Sequence, residues 1–167
     1  MKEFVILVDE KDNELGSMEK LEAHKKGLLH RAFSIFIFND DGELLLQQRA
    51  LTKYHSAGLW TNTCCSHPKP GEDLLSAANR RLIEEMGFST SLSIKTSFIY
   101  KVEFENNLFE HEFDYILIAN YNKQPQVNKS EVKNYKWLKL DEIKILIKNK
   151  PYDFTSWFKI AIENCFN

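Results

Sequence analysis

Residues 66–88 read SHPKPGEDLLSAANRRLIEEMGF and contain the clearest helix signal in the chain. Asp73 is a favoured N-cap residue, and Gly87 is typical of the position just after a helix ends. These two boundaries predict a helix over residues 73–86 with one apolar side facing a core. The apolar stripe consists of Leu74, Ala77, Ala78, Leu82 and Met86.

The segments before this helix predict a hairpin. Phe33–Phe38 is apolar on both faces, which is typical of a central strand. Asn39–Gly42 reads NDDG, a strong turn sequence, and Leu44–Arg49 returns as a second strand.

The segments after the helix predict a second strand pair, Thr96–Phe104 and Leu108–Tyr121, joined at Asn106–Asn107. Strands mixed with helices predict an α/β layered sandwich around a mixed sheet, formed by one domain over residues 1–167. Further predicted elements are strands at Phe4–Val8 and Tyr135–Leu138 and helices at Ser17–Leu29, Asp141–Lys148 and Thr155–Asn164.

Composition limits the class of protein. The 167 residues carry a net charge of −2, which argues against bulk attraction to nucleic acid or to anionic membranes. The longest apolar runs are about five residues, too short for a transmembrane helix or a signal sequence. Three cysteines do not form a disulfide framework and suggest a reducing compartment. We therefore expect a cytoplasmic protein with no nucleic-acid or membrane partner.

Five side chains are difficult to explain by folding alone. Glu110 and Glu112 are two apart on a predicted strand and so share one face. The alternative to a functional role is an edge strand with a solvated acidic face. His24, His30 and His67 stand in unusual settings, and with the two carboxylates they offer an N₃O₂ donor set suited to zinc, manganese or iron. Spacing does not establish that the five converge, so both interpretations remain open.

The segment from Ser66 to Phe88 resembles the Nudix box, with Gly87 on the motif's last glycine. Two positions depart from the motif: Ser66 replaces the opening glycine, and Arg81 replaces a glutamate that binds metal in the family's pyrophosphohydrolases. A guanidinium there reverses the local charge and would cripple a hydrolytic metal cluster. The matching positions are Glu72, Arg80, Leu82, Glu84, Glu85 and Phe88.

A more specific resemblance covers nearly the whole chain. Residues 60–68 read WTNTCCSHP and resemble the signature of type I isopentenyl-diphosphate Δ-isomerases. This resemblance implies a Nudix-like layered sandwich, and interconversion of isopentenyl and dimethylallyl diphosphate through a carbocation-like intermediate. The stretch between His24 and His30 is one residue shorter than in some bacterial relatives. Supporting segments are Glu22–His24, His30–Ser34, Gln48–Lys53, Glu110–Glu112 and Asp153–Trp157.

The resemblance also implies roles for individual residues. Cys65 and Glu112 would be the acid/base pair, with Tyr100 hydrogen-bonded near Glu112 and Trp157 facing the cationic intermediate. Glu85 would help hold a magnesium ion bound to the diphosphate. One zinc or manganese ion would be bound by His24, His30, His67, Glu110 and Glu112. The diphosphate would be bound by Lys20, Arg49, Lys53, Arg81 and Ser34.

Two alternative functions remain to be weighed against the isomerase. One is a Nudix pyrophosphohydrolase acting on a nucleoside diphosphate derivative, against which Arg81 counts. The other is a Nudix-fold domain that binds a metal or a diphosphate without turnover. We expect the isomerase, working as a monomer on a small diphosphate substrate. If a bound cation lies near Cys65, the pKa of that thiol should fall below its free value of ~8.5.

Overall fold

The computed structural model describes residues 1–167 and is built around one nine-stranded mixed sheet with four α-helices. The strands are β1 (Phe4–Val8), β2 (Glu14–Glu19), β3 (His30–Phe38), β4 (Glu43–Arg49), β5 (Trp60–Thr61), β6 (Cys64–Ser66), β7 (Ser93–Phe104), β8 (Leu108–Asn120) and β9 (Val132–Lys139). The helices are α1 (Lys20–Lys26), α2 (Leu74–Met86), α3 (Leu140–Asn149) and α4 (Ser156–Cys165). None of the helices is long and apolar enough to cross a membrane.

Strand β3 organises the sheet. It pairs in parallel with β8 over nine residues, from His30 opposite Glu112 to Phe38 opposite Asn120. It also pairs antiparallel with β6, which sets Cys65 opposite Ser34. The predicted hairpin of β3 and β4 is paired only at Phe38 and Leu44, because β4 continues against β5 and β9 instead.

The helices cover both faces of the sheet. Helix α2 packs Ala77, Leu82 and Met86 into one core, whereas α3 and α4 contribute to a second core that contains Phe36 and Phe158. Full burial of such a side chain stabilises the fold by roughly 1.5–3 kcal/mol. This layered arrangement confirms the predicted α/β sandwich.

The ends of α2 follow the sequence signals. The carboxylate of Asp73 accepts a hydrogen bond from the backbone N–H of Ser76 at 3.1 Å, so Asp73 is the N-cap. Gly87 has φ +78°, and a Cβ at this position would lie 2.4 Å from the carbonyl oxygen of Gln126. A larger residue is therefore excluded both by backbone conformation and by space.

The segment predicted as a helix over Ser17–Leu29 begins as a strand and contains a shorter helix. Residues 17–19 extend β2, where Ser17 and Met18 pair with β1. Glu19 then caps the short helix α1 by accepting a hydrogen bond from the N–H of Leu21 at 3.2 Å. Pairing with β1 decides the conformation of residues 17–19, which have no apolar helical stripe of their own. The shorter helix still buries His24.

Candidate active site

Three histidines from separate elements meet inside the protein. His24 lies on α1, His30 begins β3, and His67 follows β6. One ring nitrogen from each lies within 4.8 Å of the other two. His24 and His30 are almost fully buried, so the cluster is an interior feature and not a surface coincidence.

Hydrogen bonds orient these rings toward a common centre. The Nδ1 of His30 lies 2.8 Å from the carbonyl oxygen of Leu28. A carbonyl only accepts, so Nδ1 carries the proton and Nε2 presents a lone pair. The Nε2 atoms of His24 and His30 are buried without any hydrogen-bond partner. An orphaned buried acceptor is costly, and a metal ion satisfies it.

The histidines are held in their neutral form. Burial lowers the pKa of His24 and of His30 to about 3, and the neighbouring histidines add to the effect. Burial likewise lowers the pKa of His67 to about 4. Metal binding requires neutral imidazole, so the set is ready to bind a cation at physiological pH.

Strand β8 supplies carboxylates to the same centre. Its side chains alternate between buried and half-buried, and Glu110, Glu112 and Asp114 lie on the buried face. Glu112 Oε2 lies 2.9 Å from Nε2 of His67 and 3.7 Å from Nε2 of His30. The solvated edge-strand alternative is therefore wrong. The three imidazoles, with carboxylates beside them, form a donor set suited to a divalent metal ion.

Tyr100 on β7 joins the two glutamates. Its hydroxyl contacts Glu110 Oε2 at 2.9 Å and also contacts Glu112 Oε1. Burial raises the pKa of Glu110, but hydrogen bonds from His55 and Tyr100 outweigh it and bring the pKa down to about 2. Burial and the charge of Glu110 raise the pKa of Glu112. The two carboxyl groups thus have opposed pKa shifts and different protonation behaviour.

Cys65 lies among polar and aromatic groups. The Nε1 of Trp157 donates a hydrogen bond to its sulfur at 3.2 Å, and the thiol lies 3.0 Å from Oδ1 of Asn62. Ser34 Oγ lies 3.5 Å from the sulfur and donates to Asp114 at 2.7 Å. In the metal-free chain, burial and the nearby charge of Asp114 raise the pKa of the Cys65 thiol. The lowering expected beside a bound cation stays a prediction.

Positively charged side chains gather at the other end of the same space. Lys20 contacts Glu3 at 2.5 Å, Lys53 contacts Glu131, and Arg81 contacts Glu84 and Glu85. Glu131 Oε2 also lies 3.6 Å from Arg81. Lys20, Lys53 and Arg81 are each held by a carboxylate that an anionic ligand would replace or share. Arg49 instead donates to the backbone carbonyl of His55 at 3.2 Å. This group, the cation end, consists of Lys20, Arg49, Lys53 and Arg81.

The histidine and carboxylate set and the cation end both open onto one cavity of about 610 Å³. This volume is typical of small-ligand sites. The inner end of this cavity is lined by His24, His67, Cys65, Tyr100, Glu110, Glu112 and Trp157. The four residues of the cation end and Glu85 also line the cavity, together with further residues that include Tyr54, His55 and Glu131. His30 stands behind the lining, fully buried.

Ser34 lines the same cavity, with its hydroxyl donating to Asp114 and facing Cys65. It is buried beside the inner end, because β3 pairs with β6 at this residue. Its expected contact with the diphosphate stays a prediction.

Sequence reasoning did not assign several residues that line or support the site. His55 lies 3.3 Å from Glu110, Tyr54 lies 3.0 Å from His24, and Glu131 joins two cations. His55 and Tyr54 belong to a loop, and Glu131 precedes β9, so no periodic pattern pointed to them. The signal available in the sequence was His55, which lies two residues after the predicted diphosphate-binding Lys53.

Comparison with known proteins identifies the family. The sequence pattern of the NUDIX domain matches residues 28–158. A crystal structure of DR0079 from Deinococcus radiodurans superposes with a TM-score of 0.81 at 17% identity, covering 99% of this chain and 100% of that one. A MutT protein from Methanosarcina mazei gives a TM-score of 0.66 at 19% identity, covering 81% and 91%. These two likenesses concern the fold alone.

Sequence relatives are more specific. Isopentenyl-diphosphate Delta-isomerase 2 of Photorhabdus laumondii is 54% identical over 163 residues, covering 98% of this chain and 92% of the relative. Isopentenyl-diphosphate Delta-isomerase of Serratia proteamaculans is 51% identical over 164 residues, with the same coverage of 98% and 92%. The chain therefore belongs to the NUDIX domain family and, within it, to the isopentenyl-diphosphate Delta-isomerases.

Proposed function

We propose that this protein interconverts isopentenyl diphosphate and dimethylallyl diphosphate by adding a proton at one carbon and removing one from another. The observation that carries the proposal is one cavity lined both by polar, proton-bearing side chains and by a cluster of positive charges. A substrate with a hydrocarbon head and a diphosphate tail matches this division.

The reaction requires an acid and a base on the two sides of an alkene. We assign these roles to Cys65 and Glu112, which both line the inner end. Protonation of the terminal alkene carbon forms a new C–H bond and leaves positive charge on the tertiary carbon. Loss of a proton from the carbon on its other side restores a double bond in the new position. One proton is gained and one lost, so no redox cofactor is needed.

Two side chains support this step. Tyr100 contacts the carboxyl group of Glu112 and fixes its position. Trp157 lies against Cys65 and offers an aromatic face, which stabilises a desolvated cation by about 2 kcal/mol without reacting with it. Enclosure of the inner end also excludes water that would capture the cation.

Two cations fit the residues present. His24, His30, His67, Glu110 and Glu112 would hold one zinc or manganese ion, and Glu85 would help hold magnesium with the diphosphate. When bound, the first ion supplies fixed positive charge beside Glu112, and the second neutralises charge on the diphosphate. The orphaned Nε2 atoms of His24 and His30 support the first assignment.

The cation end anchors the substrate. Lys20, Arg49, Lys53 and Arg81 would neutralise the diphosphate, and its binding energy would hold the alkene between the acid and the base. Ser34 would approach the diphosphate from the cavity wall, where its hydroxyl also faces the thiol of Cys65.

Arg81 argues against a pyrophosphohydrolase. Its guanidinium pairs with Glu84 and Glu85, so positive charge stands among the carboxylates that a hydrolytic metal cluster would use. A phosphate-release assay on nucleoside diphosphate derivatives tests this alternative, and we expect no release.

The decisive experiment follows isopentenyl diphosphate by proton NMR in D₂O, with Mg²⁺ and trace Zn²⁺ or Mn²⁺. We expect deuterium-labelled dimethylallyl diphosphate, because the added proton exchanges with solvent. A folded, metal-loaded sample that gives neither product nor exchange would contradict the proposal and favour a domain that binds without turnover. We also propose a monomeric, cytoplasmic enzyme with no nucleic-acid or membrane partner.

A further inference from the structure

The loop between β4 and β5 sends two neighbouring side chains to the histidine and carboxylate set. The hydroxyl of Tyr54 lies 3.0 Å from Nδ1 of His24. Nε2 of His55 lies 3.3 Å from Oε1 of Glu110. We propose that Tyr54 and His55 are positioning residues that orient His24 and Glu110 for metal binding.

The contact of Tyr54 is compatible with the form of His24 that binds a cation. In neutral imidazole only one nitrogen carries a proton. The Nε2 atom of His24 is buried without a partner and faces the other histidines. With the proton on Nδ1, that N–H donates to the oxygen of Tyr54 and leaves the Nε2 lone pair for a cation. Such outer hydrogen bonds fix both ring orientation and tautomer.

His55 acts on the carboxylate side. Its Nε2 lies within ion-pair distance of one oxygen of Glu110, whose other oxygen contacts the hydroxyl of Tyr100. Nδ1 of His55 lies 3.2 Å from the hydroxyl of Ser56, which donates to it. Both oxygens of Glu110 are therefore restrained by neighbouring groups, which fixes the direction in which the carboxylate presents its lone pairs.

The aromatic surroundings hold the His55 ring in this position. It stacks on Phe104 with ring centroids 4.8 Å apart and planes inclined by 14°. The ring of Trp157 meets it edge-on at 5.8 Å, and that of Tyr54 does so at 4.6 Å. The side chain of His55 is only 9% exposed. A ring confined in this way delivers its N–H to one place.

The same loop begins at the cation end, because Arg49 ends β4 and Lys53 precedes Tyr54. Arg49 donates to the backbone carbonyl of His55 at 3.2 Å. One short segment thus connects the proposed diphosphate-binding side chains with the orientation of two proposed metal ligands.

This inference rests on the metal site of the proposed function, so its test measures metal binding directly. The metal-free chain is titrated with Co²⁺, following the visible absorption of the bound ion and its affinity in competition with a chelator. The variants are Tyr54→Phe, His55→Phe and His55→Gln, and the matched control is Tyr152→Phe, which removes a hydroxyl from an 88% exposed ring.

We expect Tyr54→Phe and His55→Phe each to weaken Co²⁺ binding by roughly 10–100-fold and to change the absorption spectrum. His55→Gln keeps an N–H donor and should recover much of the affinity, and Tyr152→Phe should match the native chain. Native affinity and spectrum in both Phe variants would overturn this inference alone. Failure of the native chain to bind one Co²⁺ would overturn it together with the proposed metal site.

Discussion

The two ends of the cavity are built from different kinds of contact. At the cation end, the side chains of Lys20 and Lys53 are 27% and 24% exposed and pair with single carboxylates that also reach solvent. At the inner end, Glu110 and Glu112 are 8% and 7% exposed, and each contacts Tyr100 as well as a histidine. The first end provides charge, and the second provides fixed geometry.

This difference shows where a substitution should act. Each partly exposed, screened charge contributes modestly to ligand binding, and neighbouring charges compensate in part for its loss. Buried polar groups depend on all their partners, so the loss of one leaves another unsatisfied. The ends meet where the guanidinium of Arg49 lies 5.1 Å from the ring centroid of Trp157.

Loss of the thiol should be the largest effect. Cys65→Ala removes one of the two proposed proton-transfer groups, and we expect turnover to fall by roughly 10²–10⁴-fold. Calorimetry with inorganic pyrophosphate should show native affinity, because the cation end is unchanged. Cys165→Ala is the control, since Cys165 does not line the cavity. A Cys65→Ala enzyme with near-native turnover would contradict the assignment of proton transfer to the inner end and of binding alone to the cation end.

Loss of the aromatic face should rank second. Trp157→Leu removes a cation–π contact of about 2 kcal/mol, which corresponds to a roughly 30-fold lower kcat. Trp157→Phe keeps a ring but loses the hydrogen bond to Cys65. Its kcat should therefore lie between that of the native enzyme and that of Trp157→Leu. Steady-state kinetics separate kcat from KM, and a change in KM alone would assign Trp157 to substrate binding.

Loss of one positively charged side chain should weaken substrate binding. Lys53→Gln removes a charge from the cation end, and we expect KM for the diphosphate substrate to rise roughly tenfold with kcat nearly unchanged. The effect should shrink at high salt because the site is partly open to solvent. A kcat that falls as steeply as for Cys65→Ala would mean that both ends control the chemistry.

The smallest effect is expected at Glu72, which matches the Nudix box but does not line the cavity. Its carboxylate accepts two hydrogen bonds from Arg80, at 2.7 and 3.0 Å. Glu72→Gln should leave turnover unchanged. A large loss of turnover would instead indicate that Glu72 and the other Nudix-box residues form a catalytic site like that of the hydrolases.

The same variant tests a pH dependence. The hydrogen bond from Arg80 lowers the pKa of Glu72 in the folded state. The ion pair therefore stabilises the fold above the unfolded pKa of ~4.3, and this contribution is lost as pH falls through the lower folded value. Denaturant unfolding should show Glu72→Gln slightly less stable at pH 7, with the difference closing at acid pH. A difference that persists in acid would contradict the pairing.

The regular elements were predictable because periodic patterns define them. The alternation along β8 placed Glu110 and Glu112 on one face, and the boundaries of α2 at Asp73 and Gly87 were both signalled. The sequence did not reveal β5 and β6, because strands of two or three residues carry no period. It also did not reveal the six-residue β2, whose residues are exposed or half-buried and show no apolar alternation. Their partners decide their conformation.

The convergence of the site residues in space was harder to predict than their identities. His24, His30 and His67 come from three elements, and only pairing across β3 and its neighbours brings them together. Tyr54 and His55 were missed because a loop's path is set by contacts distant in sequence, such as the hydrogen bond from Ala50 N–H to the carbonyl of Glu131.

The nine-residue pairing of β3 with β8 makes strand length a functional property. His30 stands opposite Glu112, and successive side chains point to opposite sides of the sheet. Deleting one residue from the middle of either strand would leave the composition nearly intact and turn half of that strand's side chains outward. Changes in length should be better tolerated in loops whose residues pair with neither strand. Inherited insertions and deletions in this family should therefore collect in such loops and be absent from the two paired strands.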